Sequence, residues 1–243
     1  HPKGTASLYN EGQPVRTLTG ALQLLLDNGY HADVMNEDAL LRRMDAYPVI
    51  VVAEQTDLPQ ALRNALLAWV KRGGKLLLTG SQIVQDYPDA LGVRAAGESE
   101  PGMFYVPGDG HTAPVGGPWQ TVTLAGAKAI APLYRTPDTG KRSQAGTPAA
   151  TFKRVGKGAI AAVFGALAAS YADYRYAGIR DFAGSVLRAL TGEMPVRIDA
   201  PPYVHMVVRE KPGQTIVHLL NTASANPLAP VAPRVEAIPT VGP

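Results

Sequence analysis

The sequence predicts an α/β fold: an open parallel sheet with helices on both faces, extended by β-hairpins and a small C-terminal β element. Three observations predict it. Between residues 15 and 79, segments of helical and strand character alternate as α, β, α, β, α, β with connections of a few residues, as expected when helices return each strand parallel to the last. The runs PVIVVA (48–53) and KLLLT (75–79) are nearly continuously apolar, which suits strands covered on both faces. From residue 92 to 165 Gly and Pro become dense and only short β-like runs appear, the texture of hairpins added to the α/β unit.

Taken in order, Val15, Leu18, Leu22, Leu25 and Leu26 lie at helical spacing, and Gly29 stands where that helix would stop. Residues 30–35 are short and partly β-branched and read as a strand. Asn36 caps the next helix, marked by Leu40, Leu41 and Met44. After the strand at 48–53, Asp57 and Pro59 open a helix that packs Leu62, Leu66, Trp69 and Val70 and ends at Gly73-Gly74. The strand KLLLT follows. A leading strand should precede Val15, where only TASLYN is present, so it is either short or lies upstream of His1, where the chain is expected to continue. Further β-like runs fall at 103–106, 120–124, 149–153 and 159–164, the last two flanking the hairpin signal RVGKG. A helix with Ile179, Phe182, Ala183, Val186, Leu187 and Leu190 on one face comes next, closed by Gly192 and Pro195. YVHMVVREKPGQTIVHLLN reads as two strands joined at Lys-Pro-Gly, and the Pro- and Ala-rich residues from Ala223 read as a poorly ordered tail or linker. The expected division is therefore an α/β domain over 1–200, a β-hairpin over 201–222 and a tail over 223–243.

A chain of 243 residues, 46% hydrophobic, can bury a large core. Its 23 basic and 20 acidic side chains leave only +3, spread without a basic block, so nucleic acid is not implied. Lys141, Arg142, Lys153, Arg154 and Lys157 do fall in an acid-free stretch, which reads as a solvated hairpin face or as an anion-binding patch. The absence of cysteine removes thiol nucleophiles, Cys-based metal sites and disulfides together, and leaves the compartment open. No apolar run approaches the about 20 residues of a membrane helix. HPKGTASLYNEG also lacks the apolar centre of a signal peptide, so a soluble chain with no membrane partner is expected.

Ligands of open α/β sheets collect beyond the carboxyl ends of the strands, which makes Glu54, Ser81 and Gln82 the candidate contact residues. Ser81 invites reading as a nucleophile. A hydrolase elbow, however, places glycines two before and two after the serine, and here those positions hold Thr79 and Ile83. The competing role for Ser81 is capping a helix that begins at Gln82. Glu54 is either a general acid or hydroxyl acceptor, or a solvated loop carboxylate. Asp33, Glu37 and Asp38 invite a metal reading, but Glu37 and Asp38 equally fit the acidic first turn of a capped helix. His205 and His218 face each other if Lys211 and Pro212 centre the closing hairpin; a turn at Pro212-Gly213 separates them. Dinucleotide and P-loop motifs are absent from any strand-to-helix context.

ALQLLLDNGYHADVMNEDAL, YPVIVVAEQTDLPQALRNALLAWVKRGGKLLLTG, VGKGAIAAVFG and VVREKPGQTIVHLLN together carry a resemblance. The chain resembles the class I glutamine amidotransferase-like domain that forms the trimerisation domain of glycoside hydrolase family 42 β-galactosidases and related bacterial glycoside hydrolases. The matching residues are Gly29, Tyr30, Asn36, Glu37, Glu54, Val70, Gly73, Gly74, Lys75, Leu76, Thr79 and Gly80. The resemblance implies a flavodoxin-like fold and a C-terminal hairpin that begins a small β domain. True glutamine amidotransferases carry a cysteine nucleophile after the strand matching 75–79. Gly80-Ser81 stands there instead, which implies no glutamine hydrolysis, no catalytic residue, no metal and no cofactor. In the β-galactosidases the catalytic carboxylates lie in a preceding barrel, which by itself needs about 250 residues. The implied role is a non-catalytic accessory domain, either a homo-oligomer (trimer) contact or a wall for a neighbouring sugar site, with an upstream barrel domain as partner. The alternatives are a small hydrolase using Ser81, and a carbohydrate- or anion-binding module using Glu54, Gln82 and the basic stretch.

Overall fold

The computed structural model describes residues 13–140, 143–194 and 196–222. Its helices are α1 (Gln13–Asp27), α2 (Glu37–Arg43, running into a 3₁₀ turn at Met44–Ala46), α3 (Gln60–Arg72), α4 (Ile83–Asp86), α5 (Leu167–Tyr174) and α6 (Ala177–Thr191). The strands are β1 (Val49–Ala53), β2 (Lys75–Thr79), β3 (Val93–Ala95), β4 (Met103–Pro107), β5 (Thr112–Gly116), β6 (Val122–Leu124), β7 (Lys128–Tyr134), β8 (Gln144–Val155), β9 (Gly158–Val163), β10 (Val204–Lys211) and β11 (Gln214–Asn221).

Seven strands form one sheet in the order β1-β2-β9-β8-β7-β4-β5. β1, β2 and β9 run parallel, and β9-β8, β8-β7, β7-β4 and β4-β5 are antiparallel. The expected α/β class with an open, helix-flanked sheet is present, and the sheet is mixed. All six residues of β9 are buried, so both of its faces are covered, and α3 and α6 both pack against it. The sheet curls round α6, which touches β2, β9 and β8 and also β4 and β5 at the far edge. β3 and β6 make a separate two-stranded ladder, and β10 and β11 another that packs on α1 through β10.

Most predicted elements appear where their patterns place them, and the exceptions have physical causes. Leu62, Leu66, Trp69 and Val70 are buried in α3, and the whole predicted stripe is buried in α6. Residues 30–35 form no strand: the segment is largely exposed, Val34 at 52%, and pairs with no described neighbour. Helix α2 fully buries none of its residues: Leu41 is exposed, Leu40 packs half-buried against the core, and Met44 just beyond the helix is buried. Helix α1 differs most. Its leucine-rich stripe is half-buried, while Thr17, Gly20, Ala21 and Leu24 are buried. A Cβ on Gly20 would lie 2.0 Å from the Ala168 carbonyl oxygen, so it is the small-residue side of α1 that lets α5 approach. Residues 1–12 and 223–243 lie outside the described residues, and with them the expected leading strand at TASLYN and the tail.

The two Gly-rich motifs meet at the amino ends of β2 and β9. Gly73 (φ 134) closes α3, its N–H reaching the Trp69 and Val70 carbonyls. A Cβ on Gly74 would fall 2.3 Å from the Trp69 ring. The Gly156-Lys157-Gly158 turn docks on the same helix end, with Lys157 N–H donating to Lys71 O (3.0 Å) and Ala159 N–H to Gly74 O (3.2 Å). These motifs therefore hold the pole of the sheet opposite the carboxyl ends of its parallel strands.

Candidate functional site

At the carboxyl ends of β1, β2 and β9 a cavity of about 570 Å³ opens, within the size range of small-molecule pockets. The loop after β1, the turn after β2, the end of β5, the start of α1 and one side of α5 enclose it. All three candidate contact residues, Glu54, Ser81 and Gln82, line it.

Glu54 is set by the backbone. Its N–H donates to Thr79 O (2.8 Å), continuing the β1-β2 ladder one residue beyond the strand, and it then turns into the left-handed region (φ 51). Such a conformation is uncommon outside glycine, and Asp57 (φ 58) in the same loop repeats it. Gly80 makes the approach possible: it has φ 122, and a Cβ there would lie 3.2 Å from Glu54 Cα. The Glu54 carboxyl then reaches the amino end of α5, where Ala168 N–H donates to Oε1 (2.5 Å) and Ala169 N–H to Oε2 (3.1 Å). The Thr17 side chain of α1 lies nearby and also favours the carboxylate. The residue as a whole is only half-buried, but its carboxyl group is deep enough that burial pushes the pKa up to about 7. The two amides, Arg16 and Thr17 oppose that rise without cancelling it. Near neutral pH Glu54 is thus divided between its acid and its carboxylate.

Of the other charged groups lining the cavity, Arg16 and Asp173 satisfy one another, whereas the carboxylates of Glu37 and Asp57 have no ion-pair or hydrogen-bond partner among the described residues. Arg16 donates through Nε and Nη2 to the Asp173 carboxylate, tying the start of α1 to the end of α5. Ser170 Oγ accepts from Gly116 N–H (2.9 Å), joining α5 to the end of β5. Thr79, 3% exposed, lines the cavity with a buried hydroxyl that has no hydrogen-bond partner. Tyr174 lies at the rim, 47% exposed and stacked on Tyr176 with ring centroids 5.6 Å apart.

Ser81 does not cap. The residue at the N-cap of α4 is Gln82, with no side-chain cap bond, because the turn after Gly80 places Ser81 one residue too early for a four-residue helix. Nor is Ser81 hydrogen-bonded to a base: among the described residues no histidine or lysine lines the cavity, and none of its carboxylates accepts from the Ser81 hydroxyl. Arg16, Thr17, Thr79, Ser170 and Asp173 were not apparent as site residues from the sequence. The one legible signal was Thr79, a hydroxyl ending an otherwise apolar strand.

Of the other candidates, Glu37 joins the cavity lining and the rest disperse. Asn36 Oδ1 accepts from Ala39 N–H (2.9 Å) as the cap of α2, with Glu37 and Asp38 in its first turn. Asp33 accepts from the Tyr47 hydroxyl (2.6 Å), which lowers its pKa, and among the described residues no three metal-ligating side chains converge. The closing hairpin turns at Pro212-Gly213, since Lys211 pairs with Gln214, so His205 stands opposite Leu220 and His218 opposite Val207. His205 instead meets Asp27, Nε2 to Oδ1 at 3.1 Å, in a cluster where Gln23 and the Tyr171 hydroxyl also donate to Asp27. Of the basic stretch, Lys153 is held by Asp89 O (3.0 Å), Arg154 and Lys157 are exposed away from the cavity lining, and Lys141 and Arg142 lie outside the described residues.

No family model matches the chain, and no curated protein is similar to it. Solved structures share its fold. An α-L-fucosidase isoenzyme 2 from Paenibacillus thiaminolyticus superposes with a TM-score of 0.69 at 17% identity, covering 95% of this chain and 36% of that one. A β-galactosidase from Bacillus circulans sp. alkalophilus gives 0.63 at 16% identity over 91% of this chain and 33% of that one. A catalytic mutant of Gan42B, a GH42 β-galactosidase from G. stearothermophilus, gives 0.62 at 16% over 91% and 32%. At these identities the likeness is one of fold, and the chain spans about a third of the length of these enzymes.

Proposed function

We propose that the chain is a non-catalytic accessory domain of a larger glycoside-hydrolase-like protein and that it mediates self-association, as a trimer. The observation that carries this reading is the turn after β2. It occupies the place where a flavodoxin-like hydrolase holds its nucleophile, yet offers Gly80-Ser81 with neither a cysteine nor a basic partner among the described residues. The length relation supports it: a chain spanning about a third of several glycosidases that share its fold suits one part of such a protein. Catalytic carboxylates would then belong to a barrel preceding this chain. The body up to residue 200 would act as one domain and the hairpin over 201–222 as the beginning of a separate β element.

The test combines an assay with a mass measurement. Purified chain should release neither ammonia from glutamine nor nitrophenol from nitrophenyl galactoside, and analytical ultracentrifugation should report three times the chain mass. Turnover that disappears in Ser81→Ala or Glu54→Gln would remove the non-catalytic reading. A monomer at every concentration would remove the oligomeric one.

A further inference from the structure

We propose that the cavity at the carboxyl ends of β1, β2 and β9 is a binding site for a neutral polyhydroxylated ligand, a saccharide ring, held by Glu54 and Thr79 and covered at its rim by Tyr174. This goes beyond the accessory role, because it gives the domain a ligand of its own whether or not the chain self-associates.

The lining selects the chemistry by elimination. An anion would seek the free amides at the start of α5 or the guanidinium of Arg16. Both are taken, the amides of Ala168 and Ala169 by Glu54 and the guanidinium by Asp173, inside the same cavity. A divalent cation needs several converging oxygen or nitrogen ligands, and among the described residues no such group forms. The unpaired carboxylates of Glu37 and Asp57 accept from a ligand hydroxyl, which both donates and accepts, as they do from an organic cation, the alternative that the spermidine arm below tests.

Thr79 provides the clearest sign. A buried hydroxyl without a partner costs about 1–3 kcal/mol, and because Thr79 Oγ1 is closed to solvent it meets a ligand hydroxyl by turning about χ1 toward the cavity that the residue lines. Glu54 has its two oxygens oriented by α5, and its acid and carboxylate forms coexist near pH 7, so it can meet a ligand hydroxyl as donor or acceptor. Leu58, Ile83 and Pro118 give the cavity apolar surface, and Tyr174 adds an exposed aromatic face. A sugar ring presents the matching combination, an apolar C–H face edged by hydroxyls. The volume of about 570 Å³ admits such a ring with its bridging waters.

The experiment titrates the full chain, by calorimetry and by protein-observed NMR, with the methyl glycosides of galactose, mannose and fucose, and separately with sulfate and with spermidine. At least one glycoside should bind saturably with a Kd of about 0.1–10 mM, the range of a small polar ligand with few contacts. Thr79→Val should weaken that binding about tenfold. Tyr174→Ala, an exposed position that leaves the fold intact, should weaken it several-fold, about the effect of one lost ring contact. Silence toward all three glycosides, saturable binding of sulfate or spermidine in their place, or glycoside binding indifferent to both substitutions would overturn the assignment. A trimer that binds no glycoside would defeat this inference alone, and a monomer that binds one would defeat only the oligomeric reading.

Discussion

Gly80 and Glu54 show how one backbone requirement builds the site. The glycine's φ of 122 and missing Cβ let the left-handed Glu54 fold its carboxyl onto the first amides of α5. Because the folded pKa of about 7 exceeds the ordinary 4.5, the folded chain binds more protons than the unfolded chain between those values. Stability should therefore fall as pH rises through pH 4.5 to 7, by about 1–3 kcal/mol. Urea midpoints across this window should slope downward in the unsubstituted chain, and Glu54→Gln should flatten the slope; an unchanged slope would place the titration elsewhere. Ser81→Ala should shift stability by less than about 0.5 kcal/mol, since no cap bond is lost, whereas a capping serine would cost about 1 kcal/mol. At this scale the sequence placed Glu54, Ser81 and Gln82 just beyond the carboxyl ends of parallel strands, and there they line one cavity. It could not show that Ser81 is hydrogen-bonded to no base or that Thr79 is unpartnered, because both facts depend on residues far away in the chain.

Helix and strand positions were legible wherever one face carried a clear apolar stripe, as in α3 and α6, and where continuous apolar runs marked β1, β2 and β9. Helix α1 was legible as a helix but not in its orientation. Its leucines form the obvious stripe, yet the buried contact with α5 runs through Thr17, Gly20, Ala21 and Leu24, where close approach outweighs side-chain area. Gly20→Ala should therefore destabilise the protein by about 1–3 kcal/mol, despite the better helix propensity of alanine, as read by chemical denaturation. A neutral or stabilising result would mean that α5 can move away freely. The junction of α1 with β10 depends on a polar hub: Asp27 accepts from Gln23 and Tyr171 and contacts His205. Asp27→Ala leaves those partners unsatisfied and should cost about 1–3 kcal/mol. Hydrogen exchange should quicken in β10 while β2 and β9 keep their protection. Equal loss in all three strands would make the hub part of the global core rather than a local clasp.

At the scale of the whole molecule, the parallel half of the sheet follows from local pattern, whereas in the antiparallel half only β4 and the β8-β9 hairpin do. β7 and β8 pair through register shifts between residues 129 and 134, β3 and β7 lack the clean alternation that announces a strand, and β5 alternates but holds Pro114 and Gly116, which read as a turn. The proposed self-association belongs to this scale, and if it holds, sedimentation at several concentrations should give one trimeric species. The described helices include none long and apolar enough to cross a membrane. The sequence by itself determined the α/β class, the alternation over residues 15–79, the absence of thiol chemistry and the motifs Gly73-Gly74 and Gly156-Lys157-Gly158 that secure one pole. Those properties are set by period, composition and local backbone conformation, which neighbours along the chain carry. Only the tertiary structure decided that α5 delivers two amides to Glu54, that Arg16 is spent on Asp173, and that the leucines of α1 yield the inner face to Gly20. Each of these joins groups more than a hundred residues apart, and their meeting is fixed by the closure of the sheet rather than by any pattern within one segment.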